Sequence, residues 1–148
     1  YDAILIKDNH LAAIHENGLS PADAVRRSRE FICKTFPASR ANQMVVEIEV
    51  DSLNQLAAVL PSEPDIVLLD NMTVEELRQA VALRGDNAPD VILEASGGIM
   101  LENIFDVAKS GIDRISTGAP THTSSWIDIG LDWDGVSFLN RKNSSVKN

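Results

Sequence analysis

Five groups of polar residues in this 148-residue chain each stand at the end of a short apolar run: Lys7-Asp8-Asn9-His10, Glu47 with Glu49, Asp70-Asn71, Glu94 with Ser96, and Ser116-Thr117-Gly118. In a parallel α/β barrel the C-terminal strand ends form the rim where substrate binds and chemistry is done. Asp, Asn and Ser also favour turns, but five polar strand ends in succession exceed what turn chemistry explains. Strand periodicity puts Glu47 and Glu49 on one face and Val46, Ile48 and Val50 on the other. Two carboxylates sharing an interior are costly unless they meet cations, metal or hydrogen-bond donors, whereas a solvated edge strand would carry them at no cost. Ser96-Gly97-Gly98-Ile99, between a strand and a helix, suits a phosphate: small residues admit close backbone approach, and a helix N-terminus favours negative charge. Gly118-Ala119 follows the next run, giving two consecutive loops of the kind that grip phosphate in such barrels. The competing reading is a pair of turns with no ligand. His10 and His122 sit at rims and could donate to an anion, while His15 reads as a solvated loop residue before Ser20.

The elements that must position these groups are legible in the pattern. Runs rich in Val, Ile and Leu lie at 3–6, 44–50, 66–69, 91–95 and 112–116, with a weaker one at 127–131, and helical periods fill the intervals. This alternation predicts an α/β fold with a parallel sheet, its strands buried on both faces and its helices outside. Ser20-Pro21, Ser52 with Gln55, and Thr73 with Glu76 mark helix starts, the last two at capping-box spacing. Val74, Leu77 and Val81 form one apolar helix face; Leu101, Ile104, Phe105 and Ala108 form another, which Gly111 ends. Lys34 to Gln43 reads as a polar, mobile connection. The expected domain is 1–133, followed by a polar C-terminal tail at 134–148.

Composition narrows the classes. A formal charge of −9, with 13 scattered basic residues, opposes a nucleic-acid partner, which needs a concentrated cationic face. It leaves room for a small anion held by local amides and one or two cations. No apolar run approaches the ~20 residues of a membrane span. The single cysteine, Cys33, forms no internal disulfide, so the expectation is a soluble, cytoplasmic protein. Neither a zinc cluster nor a Gly-x-Ser-x-Gly elbow is present. The opening Tyr1-Asp2-Ala3-Ile4-Leu5-Ile6 reads directly as a buried strand, as if a domain had been cut on its N-terminal side.

Taken in order, Leu5-Ile6-Lys7-Asp8-Asn9-His10, Val46-Glu47-Ile48-Glu49-Val50, Leu68-Leu69-Asp70-Asn71-Met72, Leu93-Glu94-Ala95-Ser96-Gly97-Gly98-Ile99, Ile115-Ser116-Thr117-Gly118-Ala119 and Thr121-His122 resemble the quinolinate phosphoribosyltransferases over roughly 1–131. The resemblance implies an incomplete, TIM-like (β/α) barrel preceded by another domain, in a homodimer or dimer-based oligomer whose partner completes each site. It implies magnesium-assisted transfer of the phosphoribosyl group of PRPP to quinolinate, with loss of pyrophosphate and carbon dioxide. By position, Lys7 would contact substrate, and Glu49 and Asp70 would lie by the ribose hydroxyls and magnesium. Ser96, Gly97, Gly98, Gly118 and His122 would hold the 5′-phosphate, with His10 at the substrate rim. The family's carboxylate-holding arginines would precede Tyr1, so the chain alone is expected to be inactive. Pro120 stands where the family pattern has an aliphatic residue. Other readings are a related enzyme with another acceptor, a phosphate-binding barrel isomerase or synthase, and a doubly wound, non-enzymatic domain with a reversal in strand order.

Overall fold

A computed structural model of the chain describes residues 2–16 and 18–121. His122, the apolar run at 127–131 and the tail at 134–148 therefore lie outside the described residues. Strands β1 (Ala3–Ile6), β2 (Val45–Val50), β3 (Ile66–Asp70), β4 (Ile92–Ser96) and β5 (Arg114–Ile115) form one sheet in the order β1-β2-β3-β4-β5, every pair parallel. Strands that follow one another without reversal are arranged as in part of a barrel, not as in a doubly wound sheet. Helices α1 (Asp8–His15), α2 (Pro21–Thr35), α3 (Ala38–Ala41), α4 (Leu53–Val59), α5 (Val74–Arg84) and α6 (Ile104–Ala108) occupy the connections. Among the described residues no helix is long and apolar enough to cross a membrane.

Local chemistry explains the helix starts. The Ser20 hydroxyl accepts the Asp23 N–H, and Asp23 accepts the Ser20 N–H at 2.8 Å; Thr73 and Glu76 repeat this exchange. At α4 the box is only half formed, because Ser52 accepts from the Gln55 N–H while the Gln55 carboxamide turns to the Asp51 N–H at 3.2 Å. The stretch from Lys34 to Gln43 is not a bare connection: α2 runs to Thr35, and α3 follows with Ala41 buried. The helix after Gly98 differs from the expected apolar face. It begins only at Ile104 and buries Val107, while Leu101 and Phe105 are exposed, since Asn103 ties up the preceding turn. Gly111, at φ +91, follows this helix where an L side chain would be strained.

The helices cover one face of the sheet, and the other is open except at Ile66, which is buried. Ile6, Val46, Ile48, Val50, Val67, Leu69, Leu93 and Ala95 are buried in one core with Val25, Ile32, Leu56, Leu77 and Val107 of the helices. On the opposite face Leu5 pairs with Glu47, and Glu49, Leu68, Glu94 and Arg114 stand in register across four strands. These six are exposed or half-buried, which corrects the expectation of strands buried on both sides. The runs read as continuously apolar because Leu5, Ile66, Leu68 and Ile92 share that face with the charges.

At the N-terminal end of the sheet one device occurs twice. The Asp65 carboxylate accepts the Val46 N–H at 2.6 Å and pairs with Arg29 at 2.8 Å. Asp113 accepts the Leu93 N–H at 2.8 Å and pairs with Arg84 at 2.6 Å. Each aspartate also donates its own N–H to the same neighbour's carbonyl, so both extend a strand ladder by a side chain. Charge-assisted bonds of this kind fix strand register beneath the site.

Candidate functional site

Lys7 leaves β1, Glu49 is the penultimate residue of β2, and Asp70 ends β3, so strand geometry delivers all three to one end of the sheet. Lys7 Nζ lies 3.5 Å from Glu49 Oε2, with the lysine half exposed and the glutamate mostly covered. Glu49 and Asp70 line a single cavity of about 410 Å³ together with Asp8, Leu11, His15, Asp51 and Gln55. His15 is thus the last residue of α1 and part of a cavity wall, not a loop residue: the helical period begun at Asp8 runs through it. The His10 Nδ1 accepts the Lys7 N–H at 2.9 Å, which leaves Nε2 to carry the proton of the neutral ring and donate outward. That bond also closes the first turn of α1 just behind Lys7.

The second half of the site lies over β4 and β5. Ser96, Gly97, Gly98 and Ile99 line one cleft of about 450 Å³ with Ser116, Thr117, Gly118 and Ala119. The two glycine loops expected to act together therefore share a concave surface. Asp70 and Ser96 are register partners, which sets this cleft beside the acidic cavity. Asn71, at φ +53, gives its N–H to the Ser96 carbonyl at 2.9 Å and its amide to Asp70 Oδ2 at 2.8 Å. Gly97 is packed against it: a Cβ there would overlap Asn71 Oδ1 and stand 2.9 Å from the Asn71 backbone nitrogen, at φ +85. Gly98 also has positive φ, at +60. The expected helix N-terminus is not at this loop, because α6 starts five residues beyond Ile99, at Ile104. Any anion gripped here would meet loop amides and hydroxyls instead. Gly118 lies on the cleft, and His122 lies outside the described residues.

Between the halves, the open sheet face carries a charged layer. Glu94 sits between Arg114, whose NH1 is 4.0 Å from Oε2, and Ser116, whose hydroxyl donates to Oε1 at 2.5 Å. Glu47 has its carboxyl pushed above the usual carboxylate range, first by partial burial and then by the charges of Glu94 and Glu49, against the pull of Arg114 and Lys7. Reading strand ends alone misses Arg114, which lies one step inside the rim. Its signal is alternation, since a charge at 114 between Asp113 and Ile115 in an apolar run has to face the same way as Ser116. Asp51 and Gln55 escape a search of strand ends because they belong to the α4 cap region and not to a strand.

Comparison with known proteins identifies the family. Residues 1–132 match the family described as quinolinate phosphoribosyl transferase, C-terminal domain. The nicotinate-nucleotide pyrophosphorylase [carboxylating] of Mycobacterium leprae is 44% identical over 131 residues, covering 88% of this chain and 42% of that protein. The structure of the nicotinate-nucleotide pyrophosphorylase from Francisella tularensis superposes with a TM-score of 0.63 at 35% identity, over 80% of this chain and 36% of that one. NadC from Streptococcus pyogenes gives 0.64 at 33% identity, over 79% and 36%. The chain thus spans about two fifths of the length of the relatives it matches. With a family match across all but the last residues and an uninterrupted parallel strand order, the chain belongs to the quinolinate phosphoribosyltransferase family, in its C-terminal α/β domain.

Proposed function

We propose that the full-length protein transfers the phosphoribosyl group of PRPP to the ring nitrogen of quinolinate, yielding nicotinate mononucleotide, pyrophosphate and carbon dioxide, and that this chain supplies the part of the site that holds the phosphoribosyl group. The observation that carries this reading is a two-loop glycine cleft at the same sheet end as Lys7, Glu49 and Asp70. In it, Ser96, Gly97, Gly98 and Gly118 hold the 5′-phosphate by backbone and hydroxyl, and His122 adds a donor. Glu49 and Asp70 then face the ribose. As the bond from C1 to pyrophosphate breaks and the bond to the ring nitrogen forms, positive charge grows on the sugar, and two nearby carboxylates stabilise it. Lys7 meets a quinolinate carboxylate as a point charge, kept aimed by Glu49, and His10 Nε2 donates at the same rim. Decarboxylation breaks the bond between a ring carbon and its carboxylate carbon, releasing carbon dioxide and leaving the electron pair on the ring carbon beside the quaternised nitrogen until a proton is taken up. It requires electrostatic support and no protein nucleophile.

Magnesium belongs to the proposal, and the donors fit it. Glu49 and Asp70 offer carboxylate oxygens to one cavity, and among the described residues no cluster of three or more His, Cys, Asp or Glu forms a cage. That combination suits an ion that keeps its waters and takes phosphate oxygens. When bound, it would offset charge on the departing pyrophosphate. A homodimer or dimer-based oligomer, measurable by light scattering, and a cytoplasmic location complete the proposal.

The test is pyrophosphate release by the full-length protein with magnesium, PRPP and quinolinate. Release that needs both substrates, with nicotinate mononucleotide as product, is the expected result. Release with a different acceptor and none with quinolinate would replace this reading with that of a related phosphoribosyltransferase.

A further inference from the structure

We propose that Glu94 is a positioning residue that holds the second phosphate loop, 116–119, in register with the first, 96–98. The inference rests on the phosphoribosyl reading of the cleft and adds a residue to it. β5 is only two residues long, so its ladder offers little to fix the loop that follows. Side chains make up the difference. Ser116 gives its backbone N–H to the Ala95 carbonyl at 2.9 Å and its hydroxyl to Glu94 Oε1 at 2.5 Å, which anchors it to β4 twice. The Thr117 hydroxyl donates to the Ile99 carbonyl and accepts the Ala119 N–H, joining the two loops across the cleft. Glu94 is the charged member of this set. Its side chain is 13% exposed, and Arg114 on the neighbouring strand faces its second oxygen at 4.0 Å.

A half-buried carboxylate costs stability unless it is well partnered, and Glu94 also raises the carboxyl of Glu47 beside it. Arg114 and the Ser116 hydroxyl give it partners on both oxygens, so the arrangement fixes one rotamer of Ser116 at the cleft wall. A preorganised loop binds phosphate through its backbone amides without ordering cost at the moment of binding. Glu94 itself lies one layer below the rim, in register with Leu68 and Arg114, and acts through Ser116.

The experiment uses the full-length protein with Glu94→Ala, Glu94→Gln, Ser116→Ala and the Glu94→Ala/Ser116→Ala double variant. Steady-state pyrophosphate release is read alongside calorimetric binding of ribose 5-phosphate, which needs no acceptor. Loss of one charge-assisted bond should raise the KM for PRPP and the Kd for ribose 5-phosphate by about tenfold in Glu94→Ala, with kcat and the KM for quinolinate little changed. Glu94→Gln, which keeps an acceptor for Ser116, should recover most of the loss. Ser116→Ala should match Glu94→Ala, and the double variant should be no worse than either. Unchanged ribose 5-phosphate affinity in soluble Ser116→Ala and Glu94→Ala, a Glu94→Gln variant as weak as Glu94→Ala, or a rise confined to the quinolinate KM, would overturn the inference. If the wild type binds ribose 5-phosphate but does not turn over quinolinate, the reaction reading fails while the binding series still decides the role of Glu94. A wild type that binds no ribose 5-phosphate overturns both.

Discussion

At the N-terminal end of the sheet Asp65 and Asp113 each meet an arginine and a neighbouring strand N–H, whereas at the C-terminal end Glu49 and Asp70 face a cavity that they share with Asp8 and Asp51. Each lower carboxylate holds an arginine and a strand N–H. Among the described residues those at the rim have a lysine at 3.5 Å for Glu49 and the Asn71 amide at 2.8 Å for Asp70. Both ends are built by the same strands, so the difference is one of partnering and not of backbone. A carboxylate tied to an arginine and a neighbouring strand contributes to stability; one that faces a cavity with fewer donors is free to act on something that arrives.

The strongest way to break this contrast is at Asp70. In the full-length protein Asp70→Asn keeps the shape of the side chain and removes its charge, so kcat should fall by about 10²–10³, the cost typical of losing one transition-state electrostatic contact. The melting temperature should move little. Unchanged turnover at saturating PRPP and magnesium would take Asp70 out of the mechanism and leave the contrast without a functional side.

Gly97→Ala tests the rim from the backbone. The added Cβ would overlap Asn71 Oδ1 and meet the Asn71 backbone nitrogen at 2.9 Å, at a φ of +85 that L residues rarely adopt. Either Asn71 or the loop has to move, so Asp70 loses its amide partner or the cleft loses its shape. Ribose 5-phosphate affinity should fall about tenfold or more, with a stability loss of about 1–3 kcal/mol. Wild-type affinity in the alanine variant would show that the cleft does not depend on this close approach.

Asp113→Ala probes the lower end. It leaves Arg84, whose Nε lacks a partner among the described residues, with the Val91 carbonyl but no counter-charge, and frees the Leu93 N–H, at an expected cost of about 1–3 kcal/mol in a urea titration. The remaining folded protein should keep its kcat. A fall in kcat matching that of Asp70→Asn, without loss of stability, would dissolve the division between the two ends.

Strand positions, parallel pairing and the rim are legible in the linear pattern because β2, β3 and β4 each combine an apolar run with a polar end, and Ser20 and Thr73 announce helices by local hydrogen bonding. Lys7, Glu49, Asp70, Ser96 and Gly118 gather at one end for the same reason: each ends or follows a strand of one parallel sheet. What escapes such a reading depends on contacts distant in sequence. The open face is hidden because Leu5, Ile66, Leu68 and Ile92 mask its charges among apolar neighbours. The delayed start of α6 follows from Asn103 bonding to Met100 and Gly98, and the clamps at Asp65 and Asp113 depend on Arg29 and Arg84 arriving from other elements.

The smallest effect expected lies between the two ends, at Glu47, a carboxylate on the open sheet face between Leu5 and Ile66. Its carboxyl titrates above the unfolded value of 4.5, because burial and the charges of Glu94 and Glu49 disfavour ionisation. A raised carboxyl binds its proton more tightly in the folded state, so its favourable contribution is complete below pH 4.5 and is lost as pH rises through the folded-state value. At neutral pH the ionised group is a net cost to folding. Glu47→Gln removes that cost while preserving size and a hydrogen-bonding tip. The variant should therefore be slightly more stable than wild type at pH 7, by less than about 1 kcal/mol given solvent screening on the open face. The gain should shrink as the pH is lowered and close near 4.5, where wild-type Glu47 is itself protonated. Melting curves of both proteins across that range provide the check. A gain that persists unchanged at the acid end would mean that packing, not charge, separates the two side chains. A loss of stability at neutral pH would place Glu47 with the satisfied carboxylates of the lower end.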